Sequence, residues 1–70
     1  MKYLVIYERA NDGTIWARVP DLEGCYSFGN TLLEAKSNVN EAIHLHLEVL
    51  QEDNITIQEP KYFDAELVLV

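Results

Sequence analysis

The side chains of this 70-residue chain that could do chemistry are one cysteine, two histidines and twelve carboxylates. Cys25 with His44 or His46 would be a thiolate nucleophile and its base. That chemistry needs the base within hydrogen-bond reach and an oxyanion site beside it. The spacing supplies neither, and a small cysteine in a short strand is expected to be buried packing. His44 and His46 stand two apart on what reads as a helix, so they point about 200° away from each other. They cannot share a metal as histidines four apart do. His44 falls on a polar face with Lys36, Asn40 and Glu48, whereas His46 falls inside an apolar stripe, as a core-edge histidine. A two-metal nuclease site needs several converging carboxylates. Glu8, Asp12 and Asp21 lie near strand ends, and Glu34, Glu41, Glu48 and Glu52 line the solvent side of the helix. There is no glycine-rich phosphate loop, no paired CxxC and no serine elbow. The expectation is a non-enzyme without metal or cofactor.

The elements that would position these groups can be read from period and punctuation. Lys2 to Glu8 reads as a strand, apolar on both faces, and is therefore expected to be central or covered on both sides. Asn11-Asp12-Gly13 is a hairpin turn, because Asp-Gly tolerates positive φ. Thr14 to Val19 returns, with Ile15, Ala17 and Val19 on one face and Trp16 and Arg18 on the other. Pro20 ends the pairing, having no N–H to donate. The loop Asp21 to Gly24 leads to a third short strand, Cys25 to Phe28. Thr31 with Glu34 forms a capping box, and an apolar stripe from Leu32 through Ala35, Val39, Ile43 and Leu47 to Leu50 predicts a helix from Leu32 to Glu52. After a connection containing Pro60, Asp64 to Val70 alternates as a last strand, with Ala65, Leu67 and Leu69 on one side.

The expected fold is α+β, in the order β-β-β-α-β. It is a three-stranded antiparallel meander, one helix on one face and a fourth strand parallel to the first, giving the spatial order 3-2-1-4. One helix leaves the other sheet face open, with Trp16 and part of the tyrosine set on it, and exposed aromatics of that kind mark an interface.

The totals narrow the class of function. A chain this short forms a single domain, residues 1–70, and buries only about 60% of its unfolded surface; self-association is a common remedy. An apolar fraction of 49% is too high for a disordered chain. No apolar run approaches the roughly 18 residues of a membrane span, and no signal peptide is visible. A lone cysteine fits a reducing cytoplasm. The net charge of −7 repels phosphate backbones, so direct nucleic-acid binding is not expected, whereas a basic protein partner would be steered toward this surface.

The combined motifs carry a resemblance. Asn11-Asp12-Gly13, Val19-Pro20-Asp21-Leu22-Glu23-Gly24-Cys25, Gly29-Asn30-Thr31-Leu32-Leu33-Glu34-Ala35, then Glu41-Ala42-Ile43 and Leu50-Gln51-Glu52-Asp53, resemble the HicB antitoxin family over about residues 3 to 69. The family pattern is F-P-D-L-P-G-C, a short strand, G-D-T-x-x-E-A, and a helix ending near E-D-G. Here Glu23 stands at the family's proline and Asn54 near its helix-ending glycine. The resemblance implies a degenerate RNase H-like fold without the nuclease carboxylates, and a partner of the HicA type, a small basic ribonuclease toxin with a catalytic histidine. It also implies homo-oligomers, dimers or tetramers. Many HicB proteins continue into a DNA-binding helix-turn-helix or ribbon-helix-helix; no such module is expected within these 70 residues. The expected function is occlusion of the toxin, with Trp16 as aromatic anchor and Asp21 and Glu23 as acidic contacts. The rivals are an orphan HicB-like scaffold without a toxin and a metal-dependent nuclease.

Overall fold

Alternation along Ile15–Arg18 sets the orientation of the whole sheet. Ile15 and Ala17 are buried on one face while Trp16 and Arg18 are exposed on the other, as a two-residue period requires. In the computed structural model, which describes residues 1–70, this segment is β2, the middle strand of a three-stranded antiparallel sheet ordered β1-β2-β3. β1 is Ile6–Arg9, and β3 is Tyr26–Gly29. The register pairs Glu8 with Trp16 and Trp16 with Phe28; one row along, Ile6 pairs with Arg18 and Arg18 with Tyr26. Asp12 shapes the hairpin, its carboxylate accepting from the Thr14 N–H at 2.9 Å, and Gly13 takes φ 90°.

α1, Leu32–Glu52, lies across the other face. It has the expected bounds. The Thr31 hydroxyl accepts from the Glu34 N–H at 3.1 Å, and the Glu34 carboxylate accepts from the Asn30 N–H at 3.4 Å, one residue before the usual capping-box donor. The core is small: Ala17, Val19, Leu22, Cys25 and Val39 are buried, and Tyr3, Val5, Tyr7, Ala42, Ile43 and Leu47 pack partly against them. α1 sits on β3 and β2, and no Cα of α1 comes within 8 Å of a Cα of β1. Between helix and β1 the molecule therefore splays open. The resulting slot, about 780 Å³, is lined on the sheet side by Tyr3, Val5 and Tyr7 and on the helix side by residues including Leu33, Lys36, Ile43, His44 and Leu47.

Three expectations are corrected. Lys2 to Val5 precedes β1 without a ladder partner, because β2 gives way at Val19-Pro20 to the loop. The fourth strand is not formed: beyond Asn54 the chain carries no regular element, and Leu67, Leu69 and Val70 are fully exposed. Period-2 alternation marks a segment able to enter a sheet and says nothing about which edge accepts it. β1 is consequently an edge strand, not a central one, and three strands with one helix stop short of the RNase H-like arrangement.

Candidate functional site

The sheet face turned away from α1 gathers the aromatic residues. Because the register sets β2 between its neighbours, Trp16 lies beside Phe28 with ring centroids 4.9 Å apart and beside Tyr26 at 6.0 Å, tilted by 31° and 35°. Tilted contacts at these separations suit the ring quadrupoles. Yet Trp16, Phe28 and Tyr26 remain 40%, 52% and 61% exposed, although together they form one apolar patch. Beside them the Arg18 Nε donates to the Glu8 carboxylate at 2.9 Å. Both side chains are more than half exposed, so the pair contributes at most about 1 kcal/mol; its effect is to neutralise charge on the patch. A concavity of about 330 Å³ next to Trp16 is lined by Glu8, Arg9, Ala10 and Arg18. Aromatic rings and an arginine beside a recess are the composition of an interaction hot spot.

Asp21 and Glu23 are not part of this face. Their loop is tightly tied: the Val19 carbonyl accepts from the Leu22 N–H and the Leu22 carbonyl from the Cys25 N–H, both at 3.0 Å. Gly24 closes the turn at φ 79°. Leu22 and Cys25 are thereby driven into the core. The two Asp21 carboxylate oxygens accept from the N–H groups of Lys61 and Tyr62, each at 3.0 Å. Asp21 is thus a latch holding the late segment to the loop, while Glu23 is exposed. Both line a groove with His46, Leu50, residues 55–59, Lys61 and Tyr62. Sequence reading found Trp16 and missed Phe28 as its neighbour; the signal was the shared parity of Tyr26 and Phe28 within the third strand.

Cys25 and His46 line one shallow depression with Leu45 and Val49. Burial pushes the Cys25 thiol up from its ordinary value, the reverse of what a nucleophilic thiolate needs. Burial likewise raises Tyr7, which faces the core. Asp12 is lowered by its hydrogen bonds from Thr14, side chain and then backbone. The cysteine, histidines and carboxylates nowhere gather in threes as metal ligands, and no helix is long and apolar enough to cross a membrane.

Comparison with known proteins bears on what this face serves. A 14.9 kDa protein from the rep-hol intergenic region of Haemophilus phage HP1 is 46% identical over 54 residues, 77% of this chain and 40% of the phage protein. The chain thus spans well under half the length of that relative. A UPF0150 protein of Thermoplasma acidophilum is 43% identical over 77% of this chain and 78% of its own length. One from Synechocystis is 46% identical over 69% and 61%. No solved structure matches. Residues 3–67 match the model of the HicB-like antitoxin of bacterial toxin-antitoxin systems, and the chain belongs to that family.

Proposed function

We propose that this chain binds and occludes a HicA-like, mRNA-cleaving ribonuclease toxin, with the Trp16–Tyr26–Phe28 face as the docking surface. The observation that carries the reading is that patch: Trp16 packed against both Tyr26 and Phe28, on the sheet face that the helix leaves open. Family membership supports an antitoxin role. The net charge of −7 supports a basic partner and argues against direct RNA or DNA binding by this chain. Trp16 is the anchor, and Glu23, exposed on the Asp21 to Gly24 loop away from this face, is a separate acidic contact. Asp21 holds residues 61 and 62 through one bond to each oxygen, and its remaining acceptor sites serve as an acidic contact. The mechanism is steric and electrostatic: the antitoxin covers the basic surface on which the toxin would seat its RNA.

The test is binding and inhibition with a small basic ribonuclease encoded beside this chain. Trp16→Ala is expected to weaken binding by roughly 30-fold, the scale of a hot-spot tryptophan, and to release ribonuclease activity in proportion. A purified toxin that neither binds the protein nor loses activity in its presence refutes the proposal.

A further inference from the structure

Two parts of the molecule are each incomplete, and they complement one another. The first is the slot between α1 and β1. Its walls are mostly apolar, and the outer backbone edge of β1 beside it is unpaired, because β1 bonds only to β2. The second is the segment 64–70. Phe63, Leu67, Leu69 and Val70 are 93%, 102%, 99% and 114% exposed, and no backbone–backbone hydrogen bond reaches residues 1–5 or 56–70. Leu67 and Leu69 share one face of an extended segment, so they would enter a slot together, while their backbone groups met the β1 edge.

The dimensions of the chain point the same way. Its solvent-accessible surface is 5899 Å², against about 4,500 Å² for a folded chain of its 8.1 kDa mass. The excess is roughly 1,400 Å², more than the ~800 Å² each partner buries in a standard interface. The radius of gyration is 13.3 Å, where about 11 Å would describe a compact body of this length.

We infer that residues 64–70 are an exchange strand that docks into the α1–β1 slot of a second copy of this chain, adding a fourth strand at its β1 edge. The latch at Asp21 fixes where the segment leaves its own body, and the exposure of Leu67 and Leu69 shows that they do not occupy their own slot. A reciprocal exchange gives a closed twofold dimer in which each sheet is completed by the partner. The inference does not depend on the toxin reading, because the aromatic face lies on the opposite side of the sheet.

The test is solution mass together with NMR on mixed chains. The full chain is expected to sediment at twice 8.1 kDa. A mixture of isotope-labelled and unlabelled chains is expected to show nuclear Overhauser contacts from Leu67 and Leu69 methyls of one chain to Tyr7 and Ile43 of the other. The double change Leu67→Asp with Leu69→Asp is expected to weaken self-association by roughly 100-fold or more, with helix content retained. Of Leu67→Pro and Val68→Pro, the one whose N–H faces β1 should be the more disruptive. Trp16→Ala is expected to leave the mass at that of the dimer. A monomeric full chain, contacts from Leu67 to its own Tyr7 only, or a dimer that survives the double aspartate change would each overturn the inference.

Discussion

At the scale of single residues, burial decides chemistry. Cys25 sits in the core at 5% exposure, and its thiol is pushed up from the ordinary value of 9.0. The folded state therefore holds that proton more tightly than the unfolded chain does. The associated stability is fully present below the unfolded pKa and is lost as pH rises through the folded one. Tyr7, raised from 10.0 by burial, adds to the loss at higher pH. Thermal melts should accordingly be flat near neutrality and fall at alkaline pH, with Cys25→Ala flattening the first part of the decline. A melting temperature unchanged well above pH 9 would contradict this. Cys25 as packing was legible in the sequence because a small residue in a short strand has few other uses. Asp21 was not: its oxygens are taken by residues forty places further along, and no local pattern encodes such a partner.

At the scale of elements, local signals located the helix well and the strands less well. Thr31 and Glu34 fixed the start of α1 because capping is satisfied within a few residues. Strand ends moved by one to four residues because they depend on what lies alongside. Lys2 to Val5 has strand composition, yet β2 has already turned away at Pro20. Gly29 shows the same dependence on a neighbour. A Cβ there would lie 2.6 Å from the Ala35 backbone nitrogen and 2.6 Å from the Glu34 Cβ, where β3 meets the first turn of α1. Backbone cannot yield as a flexible side chain can, so Gly29→Ala should cost about 1–3 kcal/mol. Urea unfolding would read this as a lower midpoint at unchanged slope; a midpoint equal to wild type would show that the seam has room.

At the scale of the whole molecule, charge and surface dominate. A net charge of −7 on 70 residues produces a field that a basic partner senses before contact. Association with the proposed toxin should therefore slow by about tenfold between low and high salt, while dissociation changes little. Stopped-flow rates independent of ionic strength would remove the electrostatic part of the mechanism. The α+β class and the meander were legible because alternation and turns are local. The fate of residues 64–70 was not, since apolar alternation reads the same whether a strand lies in its own sheet, in another's or in solvent.

The helix seats on β2 and β3 and stands clear of β1, and this geometry sets an order of events during folding. All regular structure and nearly all of the core lie within residues 3–52. That body can fold on contacts made among its own residues, before residues 64–70 find a place. The vacancy beside β1 thus forms before the strand inferred to fill it arrives, and the newly folded body is briefly a receptor without a ligand. The step that fills it is an encounter between two chains, so its rate rises with protein concentration while the folding of each body does not.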